Sequence, residues 1–270
     1  MGTSQSSKGP GAGVPLVPPW ADPISVSDPE EGGSDLPPVS EPPIPLAPVA
    51  RFRDARRSLG SFARNGNTDY LRRTLRHYVA SGYGGSGTMS RRLGGTARTA
   101  GRLNGLLQAG GGTGPAGDAI RDAVLRGGSD VGAVLDAIAD AASPVNGTQD
   151  AETSRRSVRD SLTDLLERYP DADLLGLSDP QRAYVIERFT AHEVYGRFLL
   201  DLQQAVIKAA GDPQTALSRL RQIREFIAAE VSSAFQSIRD RGNPATTVDV
   251  TRLTAQALKA TMTVFEEYVA

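Results

Sequence analysis

Proline decides first where this chain can fold. Of its 18 prolines, 12 lie in residues 1–50. Each one fixes φ and removes a backbone donor, so neither a helical ladder nor a central strand survives such density. The same stretch is rich in Gly and Ser and poor in large apolar side chains, so burial cannot offset the entropy of ordering it. Its charge is acidic, with only Lys8 set against Asp22, Asp28, Glu30, Glu31, Asp35 and Glu41. The expectation is a mostly disordered, Pro/Gly-rich arm over 1–50 with polyproline character. Residues 51–270 are left to fold, enough to bury a core.

Beyond residue 50 the apolar spacing is helical, and no run of period-2 alternation interrupts it. Phe52, Ala55, Leu59 and Phe62 step by 3, 4 and 3 into a first helix that Asn65-Gly66-Asn67 stops. A second starts near Thr68, with Tyr70, Leu71, Leu75, Tyr78 and Val79 on its apolar side. The third is expected over about 88–108, where Ala97, Gly101 and Gly105 fall four apart. That face reads either as a seat for another backbone or as a weak, glycine-interrupted helix. Short helices are expected near 115–126 and 131–142, and a longer one over about 152–168.

Asp179-Pro180 and Asp212-Pro213 each read as an Asp N-cap before a Pro at the first helical position. They open two long helices, and Gly242-Asn243-Pro244 separates the second from a last helix over about 247–268. The fold class is all-α, a helical bundle behind the arm, with a basic, Gly-rich helical region at 51–145 and a C-terminal bundle at 146–270.

Charge is uneven although the net charge is −1. Between residues 51 and 102, twelve arginines stand against Asp54 and Asp69, an excess of +10. Guanidinium groups favour bidentate contact with phosphate or carboxylate. Arg72, Arg73 and Arg76, with Tyr83 exposed in a glycine-rich turn, are therefore candidate contacts to nucleic acid or to a protein partner. Solvated helix faces and salt links are the plainer alternative.

Catalytic signatures are missing from the sequence. There is no cysteine, which suits a reducing cytoplasm and removes thiol nucleophiles and Cys-type zinc sites. No run approaches the roughly 18 apolar residues of a membrane span, and the start of the chain is not a secretory signal. Gly82, Gly84 and Gly87 spell GxGxxG, but a helix precedes them and Thr88 stands where a phosphate loop needs Lys. The histidines, His77 and His192, lie in no metal or triad pattern; His192 and Glu193 point different ways on a helix. Asp160, Asp164 and Glu167 read as one solvated face, and Glu266-Glu267 as surface. A non-enzymatic protein of the cytoplasm, without metal or catalytic residues, is expected.

Gly2 carries the remaining chemistry. Removal of Met1 leaves a glycine α-amine with a reference pKa near 8, so a neutral, nucleophilic fraction exists at cellular pH. Gly2 with Ser6 also fits the short MGxxx[ST] acylation pattern.

The blocks Met1-Gly2-Thr3-Ser4-Gln5-Ser6 and Val14-Pro15-Leu16-Val17-Pro18-Pro19-Trp20 resemble the N-terminal signature of QatB proteins of bacterial Qat antiphage defence systems. Arg51-Phe52-Arg53-Asp54-Ala55-Arg56 and Leu59-Gly60-Ser61-Phe62 resemble the family's next block. His77-Tyr78-Val79-Ala80-Ser81-Gly82-Tyr83-Gly84-Gly85-Ser86 and Gly94-Gly95-Thr96-Ala97 complete it. The resemblance implies a partner of an ATPase, of a TatD-type nuclease, and of QatC, a deazaguanine-synthase-like enzyme that activates a carboxylate with ATP. It further implies a covalent deazaguanine-type adduct on Gly2, with no other cofactor. Thr3, Ser4, Leu16, Val17, Pro18, Pro19 and Trp20 would form the strip that docks on QatC.

Overall fold

The apolar stripes of the sequence become buried helix faces. The structure, a computed structural model, describes residues 12–18, 44–108, 114–115, 117–118, 120–122, 131–143, 147–241 and 247–269. Helix α1 (Arg53–Asn65) ends where Gly66 adopts φ 74° and donates its N–H to the Phe62 carbonyl at 2.7 Å. Helix α2 (Thr68–His77) begins on Asn67, whose side chain accepts the Asp69 N–H at 2.8 Å. The helix expected over 88–108 is two helices, α3 (Ser86–Arg92) and α4 (Gly94–Leu106), separated by Leu93 at φ −91°, ψ 10°. Gly94 and Gly95 lower helix propensity there enough for the chain to break.

Helices α5 (Val131–Ala142), α6 (Gln149–Arg168), α7 (Asp179–Ala209), α8 (Pro213–Asp240) and α9 (Thr247–Glu267) follow. The fold is all-α: among the described residues there is no strand, only an isolated antiparallel bridge between Pro15 and Leu46. Of the short helix expected over 115–126, residues 115, 117–118 and 120–122 are described and helical, and the others lie outside the described residues. Asp212 caps α8 as expected, accepting the Thr215 N–H at 2.9 Å. The cap of α7 differs. Ser178 is the N-cap, Asp179 is already helical, and Gln181 accepts the Ser178 N–H at 2.9 Å. The Ser-x-x-Gln pairing satisfies a terminal donor and so sets the start one residue earlier than Asp-Pro alone suggests.

Helices α6, α7 and α8 run up and down. Asp164 of α6 meets Arg188, whereas Asp150, earlier in α6, meets Arg197, later in α7. Likewise Tyr195 reaches the Leu220 carbonyl while Glu187 reaches Ser232 and Arg239. Helix α9 packs on α8 and also on α2, α3 and α4. The regions 51–145 and 146–270 therefore share one core, in which Phe52, Tyr78 and Leu103 join Phe189, Phe198, Phe235 and Phe265.

The small-residue face of α4 divides. At Gly101 a Cβ would lie 2.2 Å from Thr251 Oγ1 of α9, whereas one at Gly105 would meet nothing within 4 Å. Close approach thus accounts for Gly101 alone. A comparable approach joins α6 to α7, where a Cβ on Gly196 would lie 2.6 Å from Thr153 Cγ2.

Most of the arm expected over 1–50 lies outside the described residues. Two described pieces of it form a clip. Gly13 and Leu16 donate their N–H groups to the Ala47 and Pro45 carbonyls at 2.9 and 3.0 Å, and Ala47 donates to Val14 at 2.8 Å. Leu16, Val17 and Ala47 are buried, and Leu16 Cδ1 and Pro45 Cγ sit over Gly84. Local composition argues against order here, but the helical body supplies apolar surface that the arm lacks by itself.

Candidate functional site

The glycine-rich segment after α2 builds a polar knot inside the core. Tyr78–Gly82 is a widened turn with i→i+5 bonding, and Gly84 and Gly85 then take positive φ of 70° and 106°. In a regular α-helix residues five apart point about 140° away from each other. The wide turn draws Tyr78 and Tyr83 together, and their rings meet edge to face at 5.3 Å. A Cβ on Gly82 would lie 2.5 Å from Phe52 Cε1, so the turn also needs glycine for packing. GxGxxG is thus a helix-to-helix turn, as its context implied.

Both tyrosine hydroxyls converge on Asp201 of α7. Tyr78 donates to Asp201 Oδ2 at 2.9 Å and Tyr83 to the same oxygen at 2.6 Å. Arg197, one turn earlier, donates from Nη2 to Asp201 Oδ1 at 3.2 Å and from Nε to the Tyr83 hydroxyl at 2.8 Å. Arg51 adds its guanidinium 4.3 Å from the Phe52 ring centre and 5.0 Å from that of Tyr83. Burial first, and the Asp201 charge second, push the Tyr83 hydroxyl up to about 12. Tyr83 was expected to be exposed; it is 1 % exposed. The correction has a plain cause, since the wide turn aims the ring inward where Asp201 and Arg197 satisfy its hydroxyl.

Arg197 also links the knot to a surface hollow. Its Nη1 donates to Asp150 Oδ1 at 2.9 Å, and Arg92 pairs with the other oxygen of Asp150. The hollow, about 340 Å³, lies among α4, the end of α3, the start of α6 and the middle of α7. Arg92, Arg98, Arg102 and Arg197 line it against Asp150 and Glu193. Glu193 is buried on the hollow's wall: Oε2 accepts the Thr96 hydroxyl at 2.9 Å, and Oε1 has no hydrogen-bond partner. Ser154 Oγ, also buried and lining the hollow, lacks one too. Burial pushes the Glu193 carboxyl up to about 7, against the opposing pull of neighbouring hydroxyls.

The remaining expected residues divide sharply. Gly2, Thr3, Ser4, Pro19 and Trp20 lie outside the described residues. Leu16 and Val17 are each 3 % exposed, so the body of the chain already holds the two side chains expected to anchor a partner. Pro18 is half-buried. Arg72 and Arg73 are exposed on α2 and Arg76 is half-buried, with Arg72 paired to Asp69 at 3.4 Å. Arg51 and Arg92 leave the expected basic surface altogether, drawn inward by Asp201 and Asp150.

His192 and Glu193 do diverge: His192 Nε2 meets Asp164 Oδ2 at 2.9 Å on α6 while Glu193 turns to α4. Asp164 is therefore no solvated-face residue. Burial works against its ionisation, but hydrogen bonds from His192 and Arg188 outweigh this and hold the carboxyl below its ordinary range. Glu266 is likewise engaged, accepting the Ser86 N–H at 2.9 Å. Asp201, Arg197, Asp150 and Glu193 were not singled out from the sequence. Their one signal is the four-residue spacing of Glu193, Arg197 and Asp201 along α7.

Among the described residues no group of His, Asp and Glu could hold a metal ion, and no helix is long and apolar enough to cross a membrane. The fold and site define an all-helical protein with a clipped N-terminal segment, a polar core knot and a basic hollow. Residues 84–265, about two thirds of the chain, match the family described as Qat anti-phage system associated protein QatB. The chain belongs to the QatB family and is a component of the Qat anti-phage defence system. The blocks before residue 63 that resemble the family lie outside this match, so two parts of the chain point the same way. No curated protein and no solved structure matches it.

Proposed function

We propose that this QatB protein holds its tail by a root at Gly13–Val17 and presents the segment before it to a QatC-like synthase, which acylates the Gly2 amine. The observation that carries this reading is the clip. Burial of Leu16 and Val17 supports a fixed point where the tail leaves the body, and Gly13 lies eleven positions after Gly2. At about 3.3–3.6 Å per residue, that length lets the amine reach up to ~40 Å from its root. An amine on so long a lead can enter another protein's catalytic pocket. There an ATP-activated deazaguanine carboxylate would take the nitrogen, the ATP-derived leaving group departing and the amine giving up a proton.

Docking then falls to different side chains from those first expected. With Leu16 and Val17 inside, the outward apolar groups of the clip are Val14, Ile44, Leu46 and Val49. Thr3, Ser4, Pro19 and Trp20 remain proposed contacts on either side of it. The protein acts as a cytoplasmic, non-enzymatic partner that assembles with the ATPase and the TatD-type nuclease.

Intact-mass measurement of the protein from cells carrying the whole operon tests the claim. A mass increase that vanishes on deletion of QatC, and in Gly2→Pro but not in Glu31→Ala, is expected. An unmodified terminus in the complete system ends it.

A second reading draws on the exposed arginines of α1 and α2: Arg53, Arg56, Arg57, Arg64, Arg72 and Arg73. These would meet nucleic-acid phosphates, and binding would weaken steeply with salt. Reversal of Arg72 and Arg73 with no change in salt-dependent DNA or RNA binding dismisses this reading.

A further inference from the structure

The clip is seated on the body without being part of its core. Leu16, Val17 and Ala47 are buried, yet the main apolar cluster begins at Phe52 and includes none of them. The three backbone hydrogen bonds of the clip join its own two strands. None runs from residues 12–18 or 44–49 to a helix among the described residues. A segment with so few ties to the core can open while the helices stay folded.

The joint between clip and core is strained. Ala50, exposed and directly before Arg51, has φ 53°, alone among the described residues other than glycine in being positive. A Cβ makes that region unfavourable, and such a conformation persists where neighbouring contacts impose it. Arg51 supplies the contact. Its side chain is 5 % exposed, and its guanidinium lies over the rings of Phe52 and Tyr83. Its hold on the carboxylate is loose. Asp201 Oδ2 already takes the hydroxyls of Tyr78 and Tyr83, and Oδ1 takes Arg197 at 3.2 Å, so Arg51 Nη2 stands 4.0 Å away. The other strand rests on the same knot, because Leu16 packs over Gly84, next to Tyr83.

We propose that Ala50 and Arg51 form a catch. Arg51, seated in the knot, holds the strained Ala50 turn shut, and its release lets the clip lift from the body as a unit. The effect on the tail rests on the reading of Gly2 given above; the catch itself does not. Closed, the tail is rooted at Gly13, eleven positions after Gly2; open, the root moves to Phe52, fifty positions after it. Effective concentration falls roughly as the −3/2 power of tether length. An opened clip therefore presents the amine to a synthase on the body at about a tenth of the concentration.

Hydrogen exchange of the Leu16 and Ala47 amides, both donors within the clip, reads the opening in the full-length protein. Ala50→Gly relieves the strain and should slow that exchange about fivefold. Ala50→Val, branched at the same positive φ, should speed it about fivefold. In both variants the amides of α7 should keep the parent's rates. Arg51→Ala should speed clip exchange about tenfold or more, as loss of two cation–π contacts does. Since Ala50 is exposed, its variants decide the matter even if Arg51→Ala fails to fold. Clip exchange that ignores both Ala50 variants, that changes in step with α7, or that a folded Arg51→Ala leaves unchanged would each overturn the catch. In cells carrying the whole operon, Leu16→Asp should gain the Gly2 mass about tenfold more slowly than the parent. A parent that never gains mass removes the reading of Gly2 and leaves the catch to the exchange rates. Equal gain in parent and Leu16→Asp overturns the effect of the catch on the tail.

Discussion

Asp201 on α7 accepts the Tyr83 hydroxyl at 2.6 Å across 118 positions of sequence. The bond ties the glycine-rich turn after α2 to the central helix of the C-terminal bundle. It also sets Arg197 between Asp201 and Asp150, because the guanidinium spans both carboxylates.

Removing the acid should cost more than removing one phenol. Asp201→Ala strands the buried Arg197 and two hydroxyls, a loss of about 3–5 kcal/mol. Tyr83→Phe deletes the bonds to Asp201 and from Arg197 but leaves the pair between those two charges in place, and should cost about 2 kcal/mol. Urea denaturation of both variants checks the ordering; equal losses would show that Asp201 is not the hub.

Stability should fall with rising pH across the range where Glu193 ionises. Its folded carboxyl sits at about 7 against an ordinary 4.5. Below about pH 4.5 both folded and unfolded states hold the proton, so the folded state carries no penalty. Between 4.5 and 7 only the unfolded state gives it up readily, and above 7 the full cost, on the order of 3 kcal/mol, is felt. Glu193→Gln should flatten this slope and raise the melting temperature at pH 8 relative to the parent. An unchanged slope would show that the group ionises freely.

The two glycines of α4 should respond in opposite directions. Gly105→Ala enters open space and should stabilise by roughly 0.5–1 kcal/mol. Gly101→Ala drives a methyl onto Thr251 and should destabilise by about 1–3 kcal/mol. The loss should shrink when Thr251 is also changed to Ala. Thermal unfolding of the single and double variants separates contact from propensity.

The clip should respond to one side chain. Leu16→Asp places a carboxylate over Gly84 in a buried position, so the segment should detach. Limited proteolysis should then cut within residues 12–18, where the parent resists. Leu46→Asp, on the exposed side, should leave the cleavage pattern unchanged. Cutting at the same rate in all three proteins would mean that the clip does not hold in solution.

The local helical grammar was readable in the sequence. Phe52 to Phe62 marked α1, Gly66 its end, and Asp212 the start of α8, because these depend on neighbours three or four residues away. The break at Leu93 was harder to read, since apolar residues continue on both sides of Gly94-Gly95. At the candidate site less was legible. Glu193, Arg197 and Asp201 share a helix face, but a polar stripe spaced by four looks the same whether it meets water or a core.

By itself, then, the amino-acid order determined an all-helical body behind a proline-rich segment, and the stops and caps that divide it. Tertiary structure alone decided that Tyr83 turns inward, that Arg51 and Arg92 turn toward Asp201 and Asp150, and that Leu16 and Val17 lie down on the body. The reason is one of range. Helix formation is governed by backbone bonds between near neighbours, whereas the burial of a tyrosine, an arginine or a leucine depends on which distant surface receives it.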